Sequence, residues 1–250
     1  MGVDLGGSNV RVVLCGLDGT PVADAAEPTS LSSSRAIVQQ IAALCAETAD
    51  RAGIDRAGVG AGAVGVPGVT ARAGGALRLA PNLPPFGDLD LARALGDELG
   101  FPVEVDNDVN MATVAEHRRG LGANASDFVF IAVGTGVGMG IVAGGRLVRG
   151  ATGAAGEIGL LPLGANPFDP ANHVQGALEV AAGGLGLAHR YATQAGLPPG
   201  GVTTVDVYDR AADGDRRALG ALEEQAATMA MAVVAVHSIL DPQLVVFGGG

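Results

Sequence analysis

Four carboxylates and two glycine-rich turns are the groups in this chain that could do chemistry. Asp4-Leu5-Gly6-Gly7-Ser8-Asn9-Val10-Arg11 reads as strand, turn, strand. Gly6 and Gly7 carry no Cβ, so backbone N–H groups there can approach phosphate oxygens, and Asp4 at the strand end can hold Mg²⁺ through water. Alone, such a segment is equally an ordinary hairpin. Val133-Gly134-Thr135-Gly136-Val137-Gly138-Met139-Gly140 alternates four glycines, baring one face of the backbone beside the Thr135 hydroxyl. That density is costly in a strand unless something packs against it, and phosphate contact is the expected reason. Asp106-Asn107-Asp108 opens a helix, and capping accounts for only one of the three. An Asp there, between two phosphate hairpins, can take the proton of a sugar hydroxyl as its oxygen attacks a γ-phosphate. Glu157, in Gly153-Ala154-Ala155-Gly156-Glu157-Ile158-Gly159, and Glu179, in Gly176-Ala177-Leu178-Glu179, offer acceptors for sugar hydroxyls. Each taken singly is just as well a solvated glutamate.

The elements that must position these groups alternate in period. Strand patterns run over Val10–Leu17, Val59–Val66, Val103–Val105, Phe128–Val133, Gly140–Ala143 and Leu244–Phe247. Helical patterns lie over Ser34–Ala52, Asp90–Leu99, Asn110–Arg119, Gly176–Gln194, Thr204–Ala212 and Asp215–Leu240. The alternation predicts an α/β protein with its sites on loops at the carboxyl edges of sheets. Two hairpins, Asp4–Leu14 and Ile131–Val142, suggest a duplicated fold with a seam near Leu121–Asp127.

Composition removes whole classes of function. The 250 residues carry a net charge of −11, and all 15 basic residues are arginine. With no lysine there is no Walker lysine, no protein-kinase ATP lysine and no Schiff base. The acidic balance argues against nucleic acid or an anionic membrane as partner. Cys15 and Cys45 cannot make a disulfide framework, and the four histidines have no ligand spacing, which reads as cytoplasmic. The run Ala226–Leu240 is shorter than the roughly 20 residues of a bilayer span, so no anchor is expected. Gly60-Ala61-Gly62-Ala63-Val64-Gly65 fits the dinucleotide pattern, but Val66-Pro67-Gly68 follows where a helix must begin. Asp106–Asn110 starts like a calcium loop, yet has Met111 at the glycine position and His117 at the closing glutamate.

Taken together and in this order, the motifs resemble the ROK family of sugar kinases and repressors, within the actin-like ATPase (ribonuclease H-like) fold. Val64-Gly65-Val66-Pro67-Gly68 and Ala80-Pro81-Asn82-Leu83-Pro84 stand where that family has its PG turn and PNL segment, Asn107-Asp108-Val109-Asn110 is similar to its NDAN, and Asp241-Pro242 through Gly248-Gly249 to its adenosine-side motif. The resemblance implies two lobes, 1–108 and 109–250, and an ATP- and Mg²⁺-dependent hexose kinase of glucokinase type. It makes Asp108 the general base, and Asn82, Asn107, Glu157 and Glu179 the sugar ligands. Asp4, Gly6, Gly7, Ser8, Arg11, Gly134, Thr135, Gly136, Gly138, Gly248 and Gly249 would hold the nucleotide.

The departures bear on what to expect. Leu160 stands where the family has the histidine of GExGH, and Pro170, Asn172 and Ala177 stand at its zinc cysteines. Zinc has no ligands in Pro, Asn, Ala and Leu, so none is expected. The competing expectation is a non-catalytic sugar-binding or regulatory relative. Both ends read as cut, with the helix after Gly250 and any DNA-binding segment before Met1 outside the sequence, and a homodimer is what the family suggests.

Overall fold

The computed structural model describes residues 1–70, 77–78 and 83–249. The chain folds as two compact units: Met1–Ala112 with Arg149–Ala154, and Thr113–Val148 with Ala155–Gly250.

The first unit is built on five strands, β1 (Gly2–Leu5), β2 (Asn9–Cys15), β3 (Pro21–Pro28), β4 (Gly62–Val66) and β7 (Val103–Asn107), in the order β3-β2-β1-β4-β7. Two-residue strands β5 (Val69–Thr70) and β6 (Leu77–Arg78) pair separately. β1 and β2 run antiparallel with Asp4 opposite Arg11, whereas β1, β4 and β7 are mutually parallel. In β2 the period is 2: Val10, Val12 and Leu14 are buried while Asn9 and Arg11 face water. Helix α1 (Ser34–Arg51) starts at Ser33, whose Oγ accepts from Ala36 N at 3.1 Å, and buries Ile37, Ile41, Leu44, Cys45 and Thr48 at helical spacing. Burial pushes the Cys45 thiol up to about 11, so it is a small core group with no thiolate. Helix α2 (Leu91–Leu99) is capped by Asp90 and ended by Gly100 at φ 81°.

Strand β3 has no counterpart in the sequence reading. Its segment, Pro-Val-Ala-Asp-Ala-Ala-Glu-Pro, lies at the sheet edge with only Ala25 buried, so no apolar alternation announces it.

The second unit carries β8 (Phe128–Val133), β9 (Val137–Ala143), β10 (Arg146–Leu147) and β11 (Leu244–Gly248), in the order β10-β9-β8-β11. β8 and β9 form the expected antiparallel hairpin, and β11 lies parallel to β8. Helix α3 (Asp108–Arg119) begins in the first unit and ends in the second. Helices α4 (Ala177–Ala182), α5 (Gly184–Ala195), α6 (Thr204–Ala212) and α7 (Arg216–Leu240) complete the second unit. The helix expected over Gly176–Gln194 is thus two, broken at Gly183, which is extended (φ −71°, ψ 159°). A Cβ on Gly183 would lie 3.0 Å from Thr135 O and 3.3 Å from Gly136 Cα, so the break seats the helix pair on the second glycine turn. By length and composition the 25-residue α7 is long and apolar enough to cross a membrane, which the shorter run counted from sequence understated. One face of it packs against α4, α5 and α6, burying Ala218, Ala221, Met229, Ala232 and Val236, with Gln225 Nε2 donating to Ala182 O at 2.8 Å.

Candidate active site

In the first unit, the carboxyl ends of three parallel strands gather the polar residues. Asp4 sits near the end of β1 opposite Gly65 of β4, and Gly65 is opposite Asp106 of β7. A Cβ on Gly65 would come within 3.3 Å of Asp108 Cα, so a bare strand lets the first turn of α3 lie close over it.

The three polar residues of the β7–α3 elbow have separate tasks. Asn107 is the helix cap: its Oδ1 accepts from Asn110 N at 3.0 Å, and its Nδ2 donates to Gly68 O at 3.0 Å. Asp106 is buried; its Oδ1 accepts from Asn107 N (2.8 Å) and Asn110 Nδ2 (3.1 Å), and its Oδ2 from Arg149 Nε (2.9 Å) and Nη2 (2.6 Å). Asp108 is partly exposed and its Oδ1 accepts from Val109 N at 2.8 Å. Burial raises the Asp108 carboxyl above the ordinary carboxylate value; the Val109 N–H pulls the other way, and the nearby Asp4 charge adds to the rise. A carboxylate with a raised proton affinity is the more effective proton acceptor.

The first glycine turn is tied back by a residue with no sequence signal. Gly6 N donates to Asn9 O at 2.9 Å, and a Cβ on Gly6 would sit 3.0 Å from that oxygen. Thr29, one residue beyond β3, donates through Oγ1 to Gly6 O (2.7 Å) and through N to Ser8 O (3.0 Å). Asp4, Ser8 and Arg11 are exposed along this turn and Gly7 is partly so. Asn82 lies outside the described residues.

In the second unit the glycine-rich turn is clamped by the α4–α5 break. Gly184 N donates to Gly134 O (2.8 Å) and Leu185 N to Thr135 O (3.3 Å). Glu179 Oε2 accepts from Val137 N at 3.1 Å, and a Cβ on Gly136 would lie 2.3 Å from that oxygen. A Cβ on Gly140 would overlap Thr113 Oγ1. Two of the four alternating glycines thus make room for side chains of the protein itself. Gly138 is partly exposed, opposite Ala132 in the hairpin. Thr135 is exposed, and beside it a cavity of about 430 Å³ opens among Gln175, Glu179, Leu185, His189 and Arg190.

Gly248 pairs with Ala132, and Gly249, at φ 108°, passes so close to the end of β8 that a Cβ would be 2.4 Å from Val133 O. This brings the Gly248–Gly249 turn to the same strand ends as the Gly134–Gly138 loop. Glu157 follows Gly156, whose φ of 94° and bond to Met139 N (3.0 Å) fold the loop onto β9. Gly159, two residues on, would place a Cβ 3.2 Å from Glu179 Cβ, so the Glu157 loop and Glu179 flank the start of β9 together.

The loop from Leu160 to Ala177 is held by short-range hydrogen bonds. Asn166 Oδ1 accepts from Phe168 N (3.0 Å), Asp169 Oδ1 from Ala171 N (3.0 Å), and Asn172 Nδ2 donates to Asn166 O (2.9 Å). Leu160 is exposed and Ala177 is buried at the start of α4.

The whole sequence, residues 1–250, matches the model of the ROK family. The chain belongs to the ROK family. Its α/β fold is that of the actin-like ATPases, as in the ROK sugar kinases that are its structural neighbours. A ROK family glucokinase from Streptomyces griseus, solved in complex with glucose and AMPPNP, superposes with a TM-score of 0.85 at 26% identity, covering 100% of this chain and 82% of that one. An N-acetylmannosamine kinase of Escherichia coli O1:K1 / APEC is 32% identical over 257 residues, 100% of this chain and 82% of that protein. The bifunctional enzyme NanE/NanK of Brucella melitensis biotype 1 is 39% identical over 168 residues, which are 67% of this chain and 30% of that protein.

Proposed function

We propose that this ROK chain is an ATP-dependent sugar kinase of glucokinase type, with a hexose as acceptor and Asp108 as general base. The observation that carries the reading is the Asp108 carboxylate: it stands at the carboxyl ends of three parallel strands, with its proton affinity raised by burial and by Asp4. In this reading a sugar hydroxyl, O6 of a hexose, attacks the γ-phosphorus of ATP while Asp108 accepts its proton. The P–O bond to ADP breaks, and the glycine-turn N–H groups receive the phosphate charge. Asn107, Glu157 and Glu179 orient the ring, with Asn82 as a further ligand. Asn107 retains one amide N–H and one carbonyl lone pair for that role after its two backbone bonds.

Burial raises the Asp108 carboxyl and the like charge of Asp4 adds to the rise, a charge that a divalent cation would offset. Among the described residues no three His, Cys, Asp or Glu side chains cluster to hold a metal alone, so Asp4 would hold Mg²⁺ with water and phosphate, which suits that ion. Bound there, Mg²⁺ neutralises phosphate charge. The zinc of the family does not fit: Leu160, Pro170 and Ala177 have no donor side chain, and the neutral Asn172 amide does not replace a thiolate or imidazole. The reaction belongs in the cytoplasm, where ATP is supplied, and nucleic acid is not a partner of this acidic surface.

The competing reading is a sugar-binding regulator without turnover, favoured by Leu160 at the histidine position. Mg·ATP offered with a panel of aldohexoses and N-acetylhexosamines separates the two. ADP and a sugar phosphate appearing in equal amounts supports the kinase, and the best acceptor chooses between glucose and N-acetylmannosamine. Calorimetric sugar binding with no ADP on any acceptor would refute it.

A further inference from the structure

A hydrogen-bonded chain that starts on the Arg149 guanidinium ends on Asn107, the residue before Asp108. Arg149 follows β10 in sequence, yet the segment Arg149–Ala154 belongs to the first compact unit although the chain on both sides of it belongs to the second. There Arg149 meets Asp106, which is only 6% exposed. Nε and Nη2 both donate to Oδ2, at 2.9 and 2.6 Å, as a fork that a lysine ammonium does not reproduce. Asp106 Oδ1 then holds two points of the elbow, the Asn107 N–H and the Asn110 amide. Asn110 N in turn donates to Asn107 Oδ1. Asp108 is the next residue after Asn107, in the first turn these bonds define.

We propose that Arg149 is a positioning residue for phosphoryl transfer: by fixing Asp106 it fixes the turn from which Asn107 and Asp108 project. The inference rests on the kinase reading and adds a residue to it. With Arg149 removed, Asp106 is a buried carboxylate left with neutral donors alone, which drives it to swing toward water. That swing loosens Oδ1 from Asn107 and Asn110. A displacement on the ångström scale at a reacting group costs about 100-fold in rate.

Three variants of the full chain test this. Arg149→Met should lower kcat about 100-fold with KM for ATP within about twofold, since the turn serves the acceptor side. Arg149→Lys, which keeps the charge without the fork, should recover part of that loss, and added guanidinium ion should partly rescue Arg149→Met. In Arg149→Met/Asp106→Asn the unpaired buried charge is gone, so the melting temperature should return toward wild type while kcat stays low. Recovery of kcat together with the melting temperature would mean that Arg149 only offsets a buried charge, and would overturn the inference. Amide hydrogen exchange gives a readout independent of turnover: Arg149→Met should speed exchange over residues 107–111 and leave 128–143 unchanged. Unchanged exchange over 107–111 would overturn the inference even if the wild type is an active kinase. A wild type with no sugar-dependent turnover would sink the kinase reading alone, and the exchange data would still decide whether Arg149 holds the turn.

Discussion

The β7–α3 elbow and the second glycine turn are specified in opposite ways. At the elbow the side chains do the work: Asp106, Asn107 and Asp108 each have distinct partners, and a partly buried Arg149–Asp106 ion pair locks the set. At the glycine turn it is missing side chains that matter. Gly136 and Gly140 leave space filled by Glu179 and Thr113, and Gly183 and Gly249 let backbone approach backbone. A site of the first kind tolerates changes in neighbouring packing but fails when one charge is removed. A site of the second kind fails when one methyl group is added.

Gly156→Ala should show the largest effect on the second side of this contrast. A Cβ there would run into Met139 O at a φ of 94°, with no flexible side chain to give way. A loss of about 3 kcal/mol is expected, read from the urea midpoint; a midpoint equal to wild type would mean that the loop is not packed on β9. Glu179→Gln comes next. It keeps an acceptor for Val137 N–H but removes the charge, a change of about 1.5 kcal/mol, so KM for ATP should rise about tenfold with little change in melting temperature. An unchanged KM would detach Glu179 from the nucleotide loop.

A smaller and oppositely signed effect is expected at the elbow. The Asp108 carboxyl is raised above its unfolded value, so its contribution to stability is complete below the ordinary carboxylate value, near pH 4, and is lost as pH rises through the raised one. Asp108→Asn should therefore melt above wild type at pH 7 and level with it at about pH 3. A lower melting temperature at pH 7 would show that Asp108 is held by favourable bonds. The smallest effect is none: a zinc chelator should leave melting temperature and activity unchanged, with the Leu160–Ala177 loop held by Asn166, Asp169 and Asn172.

What the sequence made legible follows the same contrast. Both glycine hairpins, the α/β alternation and the helix start at Asp106–Asp108 are visible because period and residue type encode them locally. The distinction among the three elbow residues is not local, since it depends on Arg149, 43 positions away from Asp106. Thr29 is silent for the same reason: a threonine after a polar edge strand says nothing until the sheet brings it to Gly6. The break at Gly183 lies inside a helical period, and the close approach of the Thr135 carbonyl that goes with it is a tertiary contact no local pattern encodes. The alternation of glycines over 134–140 is visible in the sequence, but the side chains lying against Gly136 and Gly140 come from α4 and α3, which no local pattern encodes.

The most direct test is the turnover of Asp108→Asn beside wild type under saturating Mg·ATP and acceptor sugar, with both affinities measured by calorimetry. The expected result is a kcat lower by about 10³-fold with sugar and ATP affinities within about threefold of wild type, as befits loss of a base that binds neither substrate strongly. A kcat within tenfold of wild type would contradict a role for Asp108 in taking the hydroxyl proton.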